Sequence, residues 1–317
     1  MTDDPHREHD LFGEPVAEPS RGPLADRFLM PPFSVLNARE GEWQSRKQKW
    51  AAMGIQSELG RGAMQSSMAS ARNLQKGTED EAEDWCTTSI FDPVLCELAY
   101  RWFCPFGGQV IDPFCGGSVR GIVAAVMGMR YWGCDLSAQQ VQANKEQAVK
   151  ICATAAAQPE WVCGDARNEL AQRADAPFGA DFIFTCPPYY DLEIYSELPE
   201  DLSNMTWSHF CEAYDDIIAK AGVRLKNNRF ACFVVGDIRD KQGAYRNLPG
   251  VTTQCFLRAG FTLHNEAILV TSVGTLPVRA AAAFEASRKL GKTHQTVLVY
   301  CKGDAEKAAA AMRLRAR

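Results

Sequence analysis

Thr185-Cys186-Pro187-Pro188-Tyr189-Tyr190 is the stretch on which the reading of this chain turns. It follows Asp181-Phe182-Ile183-Phe184, an apolar run with the length of a buried strand. Two consecutive prolines can neither continue a sheet ladder nor start a helix cleanly, so they make a stiff, extended stop past the strand's carboxyl end. Two aromatic rings come next. In an open α/β sheet that edge is where ligands bind. Prolines donate no N–H, which leaves their carbonyls to accept from an amino group, and a ring beside them can grip a flat heterocycle.

The totals fit such a sheet. The chain has 317 residues, 46% hydrophobic and 23% charged, which suits one large α/β domain with extensions or two small domains. No apolar run approaches the roughly 18–20 residues of a membrane span, and the polar N-terminus does not read as a secretory signal. The expected location is the cytoplasm. The twelve cysteines are scattered without a Cys-x-x-Cys pair, and several sit in strand-like runs. They read as buried free thiols rather than disulfides or a zinc site, and no metal is expected.

The net charge of −5 conceals segregation. Residues 1–30 carry −4, residues 31–76 carry +4, residues 77–97 hold seven acids and no base, and residues 273–317 carry +6. Basic stretches on either side of an acidic one are compatible with phosphate contact on one face, and equally with solvated loops and helix faces.

In chain order, residues 1–30 read as a disordered acidic tail and residues 31–88 as an N-terminal extension. In that extension Trp43 and Trp50 interleave with Arg46, Lys47 and Lys49. The tryptophans read as the docking face of an amphipathic helix, and Arg46 and Lys47 are open to nucleic-acid phosphate. Val110-Ile111 is a strand running into Asp112-Pro113-Phe114-Cys115-Gly116-Gly117-Ser118, with a helix from Val119. The glycines allow positive φ and close approach to a ligand. No Gly-Lys-Ser/Thr follows, so this is not a Walker loop. The strand Arg130–Cys134 ends in Asp135, whose carboxylate suits two ribose hydroxyls and lies close to the dinucleotide-fold spacing from Gly116. A third strand, Trp161–Cys163, leads to Asp165, and the fourth delivers the Pro-Pro turn. Strand ends bearing polar groups, separated by helical sequence, predict a doubly wound, mostly parallel sheet with its chemistry on one edge. Arg229–Val235 is a fifth strand. Phe261–Thr271 and Gln295–Cys301 are expected to close the sheet as an antiparallel pair. The insert between them, residues 273–294, carries Arg279, Arg288, Lys289, Lys292 and His294 and is too long for a tight hairpin. It is the candidate recognition loop. Residues 304–317 read as an exposed basic helix.

Together these stretches resemble the successive motifs of S-adenosylmethionine-dependent DNA amino-methyltransferases, over residues 89–303. Cys186, Pro187, Pro188 and Tyr189 are similar to the (Asp/Asn/Ser)-Pro-Pro-(Tyr/Phe/Trp) catalytic tetrapeptide. Asp112, Phe114 and Gly116 match the Asp-Pro-Phe-x-Gly cofactor loop, Asp135 the ribose acid, and Asp165 the residue that meets the adenine amino group. Phe91 and Asp92 resemble the segment that packs on the methionine part of the cofactor. Cofactor motifs precede the catalytic motif and the recognition segment comes last, which resembles the γ order. The run Cys186 to Ser196 also resembles phage and prophage DNA methylases.

The resemblance implies a Rossmann-like class I fold of seven strands with an antiparallel last strand. It implies S-adenosylmethionine as cofactor and, as substrate, a base flipped out of a DNA duplex. The carbonyl of Pro187 would accept from the exocyclic amine and Tyr189, with Tyr190 a further candidate, would stack on the base. Cys186 departs from the family pattern, since a thiol is a weak acceptor; Asp191 or Glu193 could supply a stronger one. Cysteine is nearest in shape to serine, which favours cytosine N4, whereas the motif order favours adenine N6; adenine is preferred. A Cys186 nucleophile for C5 methylation would call for Pro-Cys instead. The competing readings are methylation of RNA or of a protein glutamine, and a non-catalytic binding module on the same fold. No nuclease motif is visible in this chain.

Overall fold

The computed structural model describes residues 23–56, 91–172, 179–274 and 276–312. Its eight strands are β1 (Val35–Asn37), β2 (Gln109–Asp112), β3 (Arg130–Asp135), β4 (Glu160–Cys163), β5 (Ala180–Thr185), β6 (Leu225–Val235), β7 (Thr262–Val270) and β8 (His294–Lys302). They form one sheet in the order β1-β7-β8-β6-β5-β2-β3-β4. Every neighbouring pair is parallel except those made by β8, which runs antiparallel to both β6 and β7. The sheet is therefore doubly wound and mostly parallel with an antiparallel last strand, as expected. It has one strand more than the seven expected. Three residues of the N-terminal extension pair with Ile268–Val270 and cover the outer edge of β7. A strand that short leaves no readable period.

Alternation along the central strands divides two cores. Phe182, Phe184, Phe230, Cys232 and Val234 face one side, with Val94, Val119, Val141 and Trp50. Ile183, Ala231, Phe233 and Val235 face the other, with Leu170, Phe210, Ile217 and Phe256. All six residues of β5 are buried, as befits a parallel strand covered on both faces.

The helices are α1 (Pro23–Phe28), α2 (Gly41–Ala52), α3 (Pro93–Phe103), α4 (Val119–Val126), α5 (Ala138–Ile151), α6 (Ala166–Gln172), α7 (Trp207–Arg224), α8 (Leu248–Arg258), α9 (Leu276–Ser287) and α10 (Ala305–Met312). Their starts are chemically marked. Asp92 accepts from Val94 N ahead of Pro93 in α3, Ser137 from Gln140 N in α5, and Thr206 from His209 N in α7.

Two described segments near the ends of the chain are helical and packed on the domain, α1 and α10. Residues 1–22 and 57–90 lie outside the described residues, but α1 begins within the expected tail. There the Trp102 indole donates to Phe28 O at 2.9 Å and Ala25 is buried. Residues 304–317 were expected to be exposed; Ala308 of α10 is buried in the first core, and residues 313–317 lie outside the described part. No described helix is long and apolar enough to cross a membrane. The eleven described cysteines are all free thiols.

Candidate active site at the carboxyl edge of the sheet

Asp112, at the end of β2, is fully buried and engaged by four groups. Arg120 Nε donates to its Oδ2 at 2.6 Å and Tyr131 Oη to the same oxygen at 2.7 Å. Thr185 Oγ1 and Phe114 N donate to Oδ1. Thr185 ends β5, so one carboxylate ties the end of β2 to the end of β5, the strand that delivers the Pro-Pro turn. Arg120 also donates through Nη2 to the carbonyls of Phe114 at 2.7 Å and Cys115 at 2.8 Å. A buried charge persists only when paired and hydrogen-bonded, and here the pair grips the backbone of the glycine loop.

Above this floor the loop is held from the other side. Gly116 has φ +49, a conformation that favours glycine. Its N–H donates to Asp135 Oδ2 at 3.1 Å, and its carbonyl accepts from Asn144 Nδ2 at 2.7 Å. Asp135 Oδ1 accepts from Ser137 N at 2.8 Å. The carboxylate thus sits half-buried at the end of β3, beside the glycine turn. Phe91 packs edge-on against Phe184 at 5.6 Å, with the Arg120 guanidinium 4.5 Å over its ring. Phe114 lies 5.9 Å from Tyr214.

Tyr189 is held through its hydroxyl and one edge of its ring. Its hydroxyl accepts from Gln295 Nε2 at 2.8 Å, lies 3.4 Å from Val234 O and 3.3 Å from Cys186 Sγ. Its ring lies against Gly236, where a Cβ would come within 2.8 Å of Cε2. Burial pushes the Cys186 thiol up, away from thiolate, which opposes a nucleophilic role for it.

Tyr190 turns the other way. It has φ +53, is only 8% exposed, and meets Trp207 at 5.2 Å and Phe210 at 5.4 Å. The Arg246 guanidinium lies 4.9 Å from the Tyr190 ring and 4.8 Å from Trp207. From Trp207 the rings stack through Phe210 to Tyr214 and so reach Phe114. Tyr190 therefore buttresses the turn, and of the two tyrosines Tyr189 is the one poised beside Cys186.

Asp112, Phe114, Gly116, Asp135, Phe91 and the Cys186–Tyr189 turn come together at one edge. Other predicted residues are placed differently. Asp92 caps α3 and receives Trp43 Nε1 at 3.1 Å and Lys47 Nζ at 3.2 Å. Asp165, past β4, is held by Arg167, with Nη2 at 2.7 Å from Oδ2. Arg46 is turned inward: its fork closes on buried Glu97 with two contacts of 2.7 Å, and Trp50 Nε1 donates to the same carboxylate. The interleaved Trp/cation segment is thus a docking helix, and Arg46 does not face solvent. Arg288 is exposed, its guanidinium 5.1 Å from the Phe284 ring, and Lys289 and Lys292 are half-buried near it in chain. The side chain of Arg279 lies outside the described part.

Sequence reading missed Arg120, Tyr131, Thr185, Gln295 and Arg246. Arg120 had a signal, being the one cation in the otherwise apolar run Val119–Val126. Gln295 had none, because its partner lies 106 positions away.

No family model matches the chain, and no curated protein matches its sequence. Among solved structures it is similar to TrmN from Thermus thermophilus, with 17% identity, 68% of this chain and 51% of that chain covered, and a TM-score of 0.45. It is similar also to magnesium protoporphyrin IX methyltransferase from Synechocystis PCC 6803 with bound SAM (12%, 75% and 93%, 0.43). A third is a TehB-like SAM-dependent methyltransferase from Corynebacterium glutamicum (15%, 74% and 95%, 0.40). The chain spans about half the length of TrmN. With TM-scores below 0.5, the architecture is assigned from the strand order and not from these likenesses.

Proposed function

We propose that this protein transfers a methyl group from S-adenosylmethionine to the exocyclic amine of a base in DNA, with adenine N6 favoured over cytosine N4. One observation carries the reading. The Cys186-Pro187-Pro188-Tyr189 turn leaves the central strand with its aromatic ring clamped by Gln295 and Gly236, next to a glycine loop braced by Arg120 and Asp135.

The residues present fit the cofactor. The positive φ of Gly116 keeps the loop backbone open on the side of Asp135, whose half-buried carboxylate suits a ribose diol. Phe91 and Phe114 offer apolar surface beside it, and Asp165 stands past the end of β4. When bound, S-adenosylmethionine supplies an electrophilic methyl group on a sulfonium.

The chain's own part is acceptance and orientation. The base amine is a poor nucleophile because its lone pair is conjugated with the ring. The Pro187 carbonyl accepts one N–H and draws the nitrogen toward a pyramidal shape; Tyr189 holds the base plane in line for transfer. The thiol of Cys186 is neutral and a weak acceptor, so the second N–H falls to a main-chain carbonyl or to Glu193. Glu193 acts electrostatically on Cys186 and receives the Tyr195 hydroxyl at 2.8 Å. No covalent enzyme intermediate is required.

The test is incubation with isotopically labelled S-adenosylmethionine and unmethylated DNA, followed by digestion and mass spectrometry of the nucleosides, with RNA in parallel. Label on N6-methyladenine or N4-methylcytosine that disappears in Pro187→Ala/Tyr189→Ala supports the reading. Cofactor binding with no label in DNA rejects it.

A further inference from the structure

The loops at the carboxyl edge divide by charge on either side of the β5 turn. On the β2–β3–β4 side stand the carboxylate of Asp135, which accepts from the backbone N–H groups of Gly116 and Ser137, and that of Asp165, which Arg167 pairs. On the β6–β8–β7 side two separate segments bring cations together.

The first segment is a small hairpin after β6. Arg239 and Tyr245 form an antiparallel bridge, Arg246 N donates to Ile238 O at 2.9 Å, and Asp240 N to Ala244 O at 2.9 Å. Its acids are consumed locally. Asp237 Oδ1 accepts from Ile238 N and Leu248 N, and Asp240 Oδ1 accepts from Ala244 N. Its Arg239 is held locally too, but by a ring and a carbonyl and by no carboxylate among the described residues. The Arg239 guanidinium lies 3.7 Å over the Tyr245 ring and donates to Gly243 O at 2.8 Å.

The second segment is the run into β8. Lys292 Nζ stands 5.4 Å from the same Tyr245 ring. Lys289 is so close to the hairpin that a Cβ on Gly243 would lie 2.5 Å from its Nζ. Among the described residues none of Arg239, Lys289 and Lys292 has a carboxylate within ion-pair distance. Asp237 acts on Lys292 only from farther away, and burial together with Arg239 lowers the Lys292 ammonium's pKa. Like charges held together without a counter-ion are costly unless an anion joins them. Tyr245 is 46% exposed, and Arg239, Lys289 and Lys292 are each partly exposed beside it.

We propose that Arg239, Lys289 and Lys292 form one phosphate-binding rail that holds the DNA backbone on the β6–β8 side of the catalytic turn, opposite the cofactor half. This rests on the function proposed above. The division has a physical logic: a cationic cofactor lies among acids, and a polyanionic substrate among bases. The rail also lies close to the chemistry in chain, since Lys292 precedes Gln295, the partner of Tyr189, by three positions.

The test compares wild type with Arg239→Gln/Lys289→Gln/Lys292→Gln. Binding of a fluorescein-labelled random-sequence DNA duplex is followed by anisotropy across a salt series, with cofactor binding by calorimetry and methyl transfer measured on the same preparations. Each phosphate contact contributes about 0.9 to the slope of log K against log salt, so the variant's slope should fall by about 2.7, with affinity down at least tenfold at low salt. Cofactor affinity should stay unchanged, and the triple lysine/arginine exchange (Arg239→Lys, Lys289→Arg, Lys292→Arg) should restore the slope. Wild-type methylation of DNA with an unchanged slope in the glutamine variant overturns the rail alone. Absence of DNA methylation and DNA binding in the wild type overturns the function as well. A slope change seen with an RNA duplex and not with DNA overturns the assignment to DNA.

Discussion

The amide of Gln295, at the start of β8, donates to the hydroxyl of Tyr189 at 2.8 Å, so the antiparallel last strand holds the ring of the Pro-Pro turn. A neutral hydrogen bond of this kind contributes about 1 kcal/mol net, or roughly fivefold in rate if it is needed only to position the ring. Gln295→Leu and Tyr189→Phe should each lower kcat by about that factor with KM little changed. Because both remove the same bond, the double variant should be no slower than the worse single one, which a double-mutant cycle in the methylation assay would measure.

Gly236 supplies the opposite wall of that clamp. A methyl group there would meet the Tyr189 ring at 2.8 Å, so Gly236→Ala must displace the ring or the end of β6. Overpacking of this sort costs about 1–3 kcal/mol. A fall in kcat should accompany a lower melting temperature, whereas retention of both would show that the ring is not held where the geometry has it.

Breaking the buried Arg120–Asp112 pair should be the most damaging change. Arg120→Met leaves a carboxylate with no exposure and without its cation, a loss of about 3–5 kcal/mol, and frees the carbonyls of Phe114 and Cys115. Thermal melts and denaturant titration measure it. A near-normal midpoint would mean that the pair contributes little to the fold.

Asp135→Asn separates cofactor binding from folding. The amide can still receive one backbone N–H, but the charge is gone. A hydrogen bond to a charged group contributes about 1.5–3 kcal/mol, so S-adenosylmethionine should bind at least tenfold more weakly in calorimetry, while the unliganded protein, which loses one of the two backbone N–H bonds to Asp135, stays folded with a lower melting temperature.

Cys186 should behave as an acceptor of low strength and not as a nucleophile. Its folded-state pKa is raised by burial, so the neutral thiol prevails through neutral pH. The stability tied to that neutral form is complete below the unfolded thiol's pKa and is lost as pH rises through the folded one. Cys186→Ser should keep activity, and iodoacetamide should modify Cys186 slowly at neutral pH, accelerating only above the ordinary thiol range. Abolition of activity by serine would point to a covalent role.

The strand ends were legible because each joins a short apolar run to a polar or helix-breaking group: Asp112, Asp135, Asp165 and Cys186-Pro187-Pro188. The Trp43/Trp50 face read correctly as a docking face, because large aromatics at helical spacing seek a core. Arg46 beside them could not be resolved, since an interior ion pair and a phosphate contact use the same cation, and only Glu97 across 51 positions decides between them. The motif preferred Tyr189 to Tyr190 but left Tyr190 open as a second stacking ring. The positive φ of Tyr190 sends the second ring into the Trp207–Phe210 stack and leaves the first beside Cys186.

What the chain's order of residues determined by itself was the doubly wound sheet and the edge at which the candidate site residues gather. Alternation, glycine turns and the Pro-Pro stop act over neighbouring residues, where local sterics and burial settle the outcome. Only the tertiary structure decided which groups meet at that edge: Arg120 with Asp112 and Thr185, Gln295 with Tyr189, and Lys289 with Gly243. It also added β1 as an eighth strand. These are contacts between side chains brought close by strand order and register, and distance along the chain carries no record of them.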